Sequence, residues 1–328
     1  MFKMTDRIQN DSSASRAVMA IALLMFVMAG VAAAQAPEEV IRIDTELVSF
    51  EVTVTDQNGK PMPNLSADEF RVFDDGIERR IDFFEPIKKE SGRPLSVVFA
   101  LDVSGSMTED ELGRLRYAMQ SFLSRLADYN SHFAVVSFAM EVKTLQGFTN
   151  RREKLEKSFD KLKRDQDGLS THAYDAVDDA IRLIARKSPK IIKGKPPKRA
   201  VILVSDGFPV GDVVSPETLI ERANAAETTV YSVILPSFSR LQSDKRPVIT
   251  PLEASGLIDR TGGKSFYATD KSFESLFQAL AEEITASYAI AFYPDKVDAA
   301  VGAKPRQVTI RSKNGFNVRQ NRTEYKLK

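Results

Sequence analysis

The stretch that decides the fold is Leu95-Ser96-Val97-Val98-Phe99-Ala100-Leu101-Asp102-Val103-Ser104-Gly105-Ser106. Its first seven residues form an apolar run, as in strands that are buried on both faces. The polar end then leads into a segment with helical periodicity. This order predicts a strand, a turn and a helix, with one carboxylate and two hydroxyls at the carboxyl end of the strand. Ligands bind at that edge in open α/β sheets.

Two later segments bring similar groups to the same edge. Gly168-Leu169-Ser170-Thr171 opens another helix, and Val201-Ile202-Leu203-Val204 is a second apolar run that ends in Ser205-Asp206-Gly207. Hydroxyl and carboxylate oxygens are hard donors, which suit Mg²⁺, Mn²⁺ or Ca²⁺ better than zinc. The first segment alone fits a polar turn before a helix capped by Thr108 equally well. The three segments together predict a divalent-metal site.

The order D-x-S-x-S, then threonine, then D-G resembles the metal-ion-dependent adhesion site of von Willebrand factor type A (VWA) domains. The resemblance covers roughly Arg93 to Ser287. The residues that it assigns to the metal are Asp102, Ser104, Ser106, Thr171 and Asp206. It implies that the three hydroxyls coordinate the metal directly and that the two carboxylates hold it directly or through water. It also implies that the sixth position takes an Asp or Glu carboxylate from a protein partner.

Composition narrows the function further. The chain has 328 residues, of which 43% are hydrophobic, so it can bury a sizeable core. A net charge of +1 gives no global attraction to nucleic acid, and we expect no nucleic-acid partner. The lack of cysteine excludes disulfides, thiolate metal sites and a cysteine nucleophile. Only two histidines, His132 and His172, are present, which excludes histidine-rich metal sites.

The first 34 residues have the pattern of a signal peptide. Lys3, Arg7 and Arg16 precede an apolar stretch, residues 17–34, that ends in three alanines. We expect cleavage after Ala34 and a location outside the cytoplasm: periplasmic, secreted or on the surface of a bacterium. The stretch is about long enough to span a bilayer if it stays uncleaved. Only in that case do we expect the chain to be attached to a membrane.

Strand patterns flank the α/β region on both sides. In the N-terminal part, residues 40–90, apolar residues alternate with polar ones from Val48 to Val54, and a hairpin is predicted with Ile77 to Phe84 as its second strand. In the C-terminal part, residues 288–328, strands are predicted at 288–293, 306–312 and 317–325. Neither set is large enough to form a stable sheet alone.

The two sets of strands are therefore predicted to pack together as one small β-sandwich. A doubly wound, mostly parallel, Rossmann-like VWA domain, residues 93–287, is inserted between them. The whole chain then resembles a family of exported bacterial VWA proteins. The flanking segments that carry this resemblance are Val52-Thr53-Val54-Thr55-Asp56, Leu65-Ser66-Ala67-Asp68-Glu69-Phe70 and Tyr288-Ala289-Ile290-Ala291-Phe292-Tyr293.

The sequence favours an exported, non-enzymatic, metal-dependent binding protein of the adhesion or scaffold type. One alternative is a structural subunit whose sixth metal position is closed by the protein's own acid, for which Glu109, Asp110 and Asp212 are candidates. The other is a metal-dependent hydrolase, but the sequence supplies no evident general base near the metal. Ser104, His172 and Asp206 could also suggest a serine hydrolase, but the G-x-S-x-G motif is missing and His172 directly follows Thr171 at a helix start.

Three further segments carry expectations. Residues 186–199 hold seven basic residues and no acid, a pattern that fits a phosphate or membrane-surface patch but more often a solvated loop. Residues 236–252 leave a strand on the metal face and are predicted to contribute to partner recognition. The last helix, residues 272–286, runs directly into a strand of the sandwich. It is predicted to couple the two parts.

Overall fold

The computed structural model describes residues 47–86, 94–105, 107–126, 130–165, 170–235, 249–268, 273–295 and 304–326. The predicted signal peptide, the proposed ligand Ser106 and residues 236–248 of the predicted recognition loop lie outside these residues. None of the helices in the described part is long and apolar enough to cross a membrane.

The strands are β1 (Val48–Thr55), β2 (Phe70–Asp74), β3 (Ile77–Arg79), β4 (Phe83–Pro86), β5 (Leu95–Asp102), β6 (His132–Phe138), β7 (Val142–Thr149), β8 (Lys198–Ser205), β9 (Thr228–Ile234), β10 (Ser265–Tyr267), β11 (Ser287–Phe292), β12 (Arg306–Ser312), β13 (Asn317–Gln320) and β14 (Glu324–Tyr325). The helices are α1 (Glu109–Arg125), α2 (Arg152–Phe159), α3 (Ala173–Lys187), α4 (Pro216–Ala225), the single turns α5 (Pro251–Ala254) and α6 (Leu257–Arg260), and α7 (Phe273–Thr285).

A six-stranded sheet with the order β10-β9-β8-β5-β6-β7 forms the centre of the α/β part. All neighbouring strands are parallel except β7, which is antiparallel to β6 at the edge. Every residue of β5 is buried, because helices cover both faces of the sheet. Apolar side chains of α1, α2 and α7 pack on one face, and those of α3 to α6 pack on the other. The predicted doubly wound sheet is confirmed.

Local sequence signals explain where the helices begin. Thr108 caps α1: its hydroxyl accepts the amide of Glu111, and the Glu111 carboxylate accepts the amide of Thr108 at 2.7 Å. This reciprocal capping box satisfies two amides that the first helical turn leaves without partners. Ser215 caps α4 through its hydroxyl, which accepts the amide of Thr218, and Pro216 is at the first helical position.

The N- and C-terminal strands form the predicted sandwich. One sheet has the order β13-β1-β11-β4, and the other has the order β14-β12-β2-β3. Strand β1 lies between two C-terminal strands, β11 and β13, and is antiparallel to both. Apolar residues of the two sheets share one buried cluster, which includes Phe50, Val72, Ile290 and Ile310. The two sets of strands therefore share one buried core, to which both contribute.

Two strand predictions were wrong in detail. The segment from Ile77 to Phe84 is not one hairpin strand: β3 pairs with β2, whereas β4 joins β11 in the other sheet. The segment from Asn317 to Tyr325 is likewise divided between the sheets, as β13 and β14. The helix that was predicted to start at Thr171 begins two residues later, at Ala173.

Candidate metal centre

Asp102 is the last residue of β5, and its side chain is fully buried, with 0% exposed. One carboxylate oxygen, Oδ1, accepts the amide of Ser104 at 2.8 Å, and the other, Oδ2, accepts the hydroxyl of Ser205 at 3.0 Å. Ser205 ends β8, the neighbouring parallel strand. The carboxylate is thus fixed between two strand ends, because parallel strands end at the same edge of the sheet.

Asp206 follows Ser205 and is also buried. Its Oδ1 accepts the amide of Phe208 at 3.0 Å, which orients the turn after β8. The pKa of Asp102 is raised from 3.8 to about 6: burial and the nearby charge of Asp206 raise it, whereas hydrogen bonds from Ser104 and Ser205 oppose the increase. Two carboxylates that repel each other inside the protein are an arrangement that a cation would stabilise.

Thr171 reaches this edge through backbone pairing. Its amide donates to the carbonyl of Val210 at 3.1 Å, and the amide of Val210 donates back to Thr171 at 3.0 Å. The next amide, that of His172, donates to the carbonyl of Ala139, which follows β6. The loop before α3 is therefore attached to the segments that follow β6 and β8, and the Thr171 side chain is largely buried there.

The turn that contains Ser104 is held by a segment that follows α2 and includes Arg164 and Asp165. The guanidinium of Arg164 donates to the carbonyl of Gly105, and the amide of Asp165 donates to the carbonyl of Val103 at 2.7 Å. Ser104 itself is buried, and its own carbonyl accepts the amide of Met107. The structure therefore brings Asp102, Ser104, Thr171 and Asp206 to one edge of the sheet. The fifth predicted ligand, Ser106, is outside the described residues.

Gly207 allows the segment after Asp206 to pass close to α5. Its φ is +85°, and a Cβ atom there would lie 2.7 Å from the methyl carbon of Thr250. Thr250 caps α5 through its hydroxyl, and Glu253 accepts the amide of Thr250 in return. The phenolic hydroxyl of Tyr267 also donates to Glu253. Only glycine fits at position 207, directly after Asp206 and against the side chain of Thr250.

A second group of polar side chains, His172, Asp175 and Asp212, lies beside Thr171 and was not singled out from the sequence as a unit. Their candidate ligand atoms all lie within 4.8 Å of one another. The Nδ1 atom of His172 lies 2.9 Å from a carboxylate oxygen of Asp175, and the same carboxylate accepts the amides of Val213 and Val214. The spacing His172-x-x-Asp175 at the start of α3 is the sequence signal that could have indicated this group of side chains.

These bonds give the group a structural role. Burial raises the pKa of Asp175, but its hydrogen bonds from His172 and the backbone lower it more, so the net pKa lies below the ordinary value. Asp212 accepts the amide of Asp175 at 3.0 Å, and burial raises its pKa. The group thus ties the loop after β8 to the first turn of α3.

The donor set fits a divalent cation of the hard class. The four described candidates supply two carboxylates and two hydroxyls, and all of them are buried at one edge. Among the described residues, no lysine or arginine forms an ion pair with Asp102. Oxygen donors without histidine or cysteine match Mg²⁺, Mn²⁺ or Ca²⁺. A cation held here would offset the repulsion between Asp102 and Asp206.

The family model of the von Willebrand factor type A domain matches residues 96–283, more than half of the chain. This chain belongs to the VWA family. The match covers the six-stranded sheet, with the three segments that carry the predicted metal ligands, and the helices on both faces. Among curated protein sequences, the search finds no match.

Solved structures with a similar fold include BatB from Bacteroides thetaiotaomicron, at 19% identity over 58% of this chain and 97% of that chain, with a TM-score of 0.43. The vWF domain of the type V pili tip protein Mfa5 from Porphyromonas gingivalis is 14% identical over 58% and 95%, with a TM-score of 0.43. Proximal thread matrix protein 1 from the mussel byssus, with a zinc-occupied MIDAS motif, is 15% identical over 65% and 50%, with a TM-score of 0.48.

Proposed function

We propose that this chain is an exported, non-enzymatic binding module in which a divalent cation accepts a carboxylate from a protein partner. The cation is held by Asp102, Ser104, Ser106, Thr171 and Asp206, and Mg²⁺ is the first choice, with Mn²⁺ and Ca²⁺ as alternatives. The observation that carries the proposal is the placement of two buried carboxylates, those of Asp102 and Asp206, at adjacent strand ends beside buried hydroxyls.

The residues around the site have distinct tasks. Asp102 is oriented by the amide of Ser104 and the hydroxyl of Ser205, so its negative charge stays at the edge of the sheet. Thr171 is held by its backbone bonds to Val210. A bound divalent cation supplies a Lewis-acidic position that takes an oxygen ligand. Because three of the proposed ligands are neutral hydroxyls, much of the positive charge remains available to an acidic side chain of a partner.

The closed-site alternative has less support from the positions of the three acids that could fill the sixth position. One carboxylate oxygen of Asp212, Oδ1, accepts the amide of Asp175 and so holds the loop after β8. Glu109 and Asp110 are exposed in the first turn of α1. The hydrolase alternatives lack a G-x-S-x-G motif and an evident general base beside the predicted metal ligands. We therefore favour a metal face that is open to a partner.

Export is part of the proposal and rests on the sequence of residues 1–34. It predicts that the mature chain begins at Gln35 and is recovered from outside the cytoplasm. N-terminal sequencing of the protein from fractionated cells tests this directly. Recovery of the intact chain from the cytoplasm would contradict it without affecting the metal site.

The metal site is tested by calorimetric titration of Mg²⁺, Mn²⁺ and Ca²⁺ into the purified chain. We expect Asp102→Asn and Thr171→Val each to weaken binding about tenfold or more, because each removes one ligand oxygen or its charge. The matched controls are Asp178→Asn, a buried acid of α3 that pairs with Arg222, and Thr149→Val, a threonine buried to the same extent in β7. Equal metal affinity in Asp102→Asn and wild type would refute the assignment.

The open face is tested with a small probe. An acetylated, amidated tripeptide Gly-Glu-Gly is titrated into the Mg²⁺-loaded chain, and the matched peptide with Gln in the centre serves as the control. We expect weak binding of the glutamate peptide that disappears on chelation, with chemical-shift changes in loops at the metal edge. If the chain binds Mg²⁺ but has the same affinity for both peptides, the site is closed, which would favour the structural-subunit alternative.

A further inference from the structure

A basic segment with a tight two-residue turn lies at the end of the α/β part away from the predicted metal ligands. We use the name basic hairpin for residues 186–195, which contain five lysines and arginines and no acid. The segment begins in the last turn of α3 and leads towards Lys198, the first residue of β8. The sequence alone favoured a solvated loop here, so the shape and surroundings of the segment decide what it can do.

The hairpin has a defined conformation. The amide of Ile192 donates to the carbonyl of Lys195 at 2.9 Å, and the amide of Lys195 donates back at 3.0 Å. The two residues between them, Lys193 and Gly194, both have positive φ, at 48° and 80°. Two consecutive left-handed residues make the tight turn that suits a two-residue hairpin. Ile192 is buried and anchors the hairpin, so its tip is presented from a fixed base.

Most of the positive charge of the hairpin is not neutralised within the described residues. Arg186, Lys187, Lys190 and Lys193 are all exposed, and no ion pair to a described acid involves them. Lys195, by contrast, pairs with Glu85 of β4 in the sandwich. That ion pair fixes one arm of the hairpin against the neighbouring sheet. The four exposed cations therefore lie within eight residues of sequence, 186–193, with no acid between them.

Large apolar side chains are exposed in the same region. Ile191 lies between the cations and is 60% exposed. Phe83 is 45% exposed and lies two residues before Glu85 on β4, so the two side chains share one face of that strand. Apolar residues that are exposed beside unpaired cations are typical of surfaces that contact lipid, because the cations attract the head groups and the apolar groups enter the interface.

The position of the hairpin suits such a contact. The hairpin leads into the start of β8, whereas Ser205 and Asp206 are at the end of that strand. The eight residues of β8 span about 23 Å at the usual rise of a strand. A surface that is bound by the basic hairpin would therefore leave the metal edge facing away from it.

We propose that the basic hairpin docks this chain on an anionic lipid surface, with the exposed cations against phosphate head groups and Ile191 at the interface. This inference does not rest on the metal site, and it requires no uncleaved N-terminal segment. It places the chain on a membrane with its metal edge directed outward.

Sedimentation of the full chain with vesicles tests the proposal. The vesicles contain about 30% phosphatidylglycerol in phosphatidylcholine, and pure phosphatidylcholine vesicles are the comparison, because only the first carry a negative surface potential. We expect the wild type to bind the anionic vesicles more tightly, and we expect this preference to fall as salt is raised from about 0.1 M to about 0.5 M. Equal binding to both kinds of vesicle would overturn the proposal.

Variants separate the hairpin from net charge and from the N-terminal segment. Lys190→Glu with Lys193→Glu should weaken binding to anionic vesicles at least about tenfold, because each cation near such a surface contributes about fivefold. The control is Lys154→Glu with Lys157→Glu, which makes the same charge change on two exposed lysines of α2. Ile191→Ser should weaken binding a few-fold and leave the salt dependence unchanged. Equal losses in the two charge-reversed proteins, or no loss in the first, would overturn the proposal.

Discussion

The ammonium group of Lys198 lies 3.8 Å from a carboxylate oxygen of Glu51, and both side chains are almost completely buried, at 1% and 6% exposed. Lys198 is the first residue of β8 in the α/β part, and Glu51 lies in β1 of the sandwich. The same ammonium also donates to the hydroxyl of Ser287 and to the carbonyl of Ile284, the last-turn residue of α7. One buried cation thus joins the central sheet, the last helix and the sandwich.

Removal of the Lys198 ammonium should destabilise the folded protein. We expect Lys198→Met to lower the free energy of unfolding by about 3–5 kcal/mol, because it leaves the Glu51 carboxylate buried without its cation. Adding Glu51→Gln should recover part of the loss. Urea unfolding measures both effects. The control is Lys190→Met, an exposed lysine that should change stability by less than about 0.5 kcal/mol. If the two lysine variants are equally stable, the ion pair contributes nothing to the junction.

The last helix should transmit displacement to the sandwich. Glu283 of α7 forms an ion pair with Arg319 of β13. The backbone carbonyl of Ile284, in the last turn of α7, accepts a hydrogen bond from the ammonium of Lys198. Movement of α7 along its axis must therefore shift β11 or β13 or break buried polar bonds. We expect hydrogen exchange in residues 288–293 to change when Mg²⁺ and an acidic peptide are added together. Identical exchange at saturating ligand would show that α7 only covers the sheet.

The pH dependence of stability should carry the signature of Asp102. Its pKa in the folded, metal-free chain is raised from 3.8 to about 6, so its contribution favours folding below about pH 4 and is lost as the pH rises through about 6. The loss amounts to about 3 kcal/mol for a shift of about 2 units. In EDTA, Asp102→Asn should therefore gain stability relative to wild type between about pH 4 and pH 7.

This prediction has an internal control. The carboxyl of Asp206 is coupled to that of Asp102, whereas carboxylates far from the pair titrate equally in both proteins, so the difference between Asp102→Asn and wild type isolates this pair. Excess Mg²⁺ at neutral pH should reverse the sign of the difference, because only wild type gains from the cation. A difference that stays constant with pH in EDTA would contradict the raised pKa.

Removal of residues 288–328 should expose the N-terminal strands. Strand β1 pairs with β11 on one side and β13 on the other, so the truncation removes both of its neighbours. We expect limited proteolysis to cleave within residues 47–86, while fragments of the α/β part remain protected. A shorter truncation, of residues 326–328 alone, is the control because it leaves every strand intact. Equal protection of residues 47–86 in both truncated chains would mean that the two sets of strands fold separately.

Local patterns predicted the elements of the α/β part well. The apolar run of β5 and the capping box at Thr108 depend only on neighbours within a few residues, and both are confirmed. The same patterns misjudged the sandwich. Alternation from Ile77 to Phe84 could not reveal that the chain changes sheets between β3 and β4, because the partner of β4 is a strand that lies some 200 residues away along the chain.

The sequence by itself determined which kinds of atom would stand at the ends of β5 and β8, because strand direction and the position of Asp102 and Asp206 after apolar runs are local properties. It also determined the fold class through the alternation of strands and helices. Only the tertiary structure decided that Thr171 pairs with Val210, that His172 and Asp175 hold the neighbouring loop, and that Lys198 is buried against Glu51. These contacts join segments that are distant along the chain, and their free energy arises only when packing excludes water from all of them together.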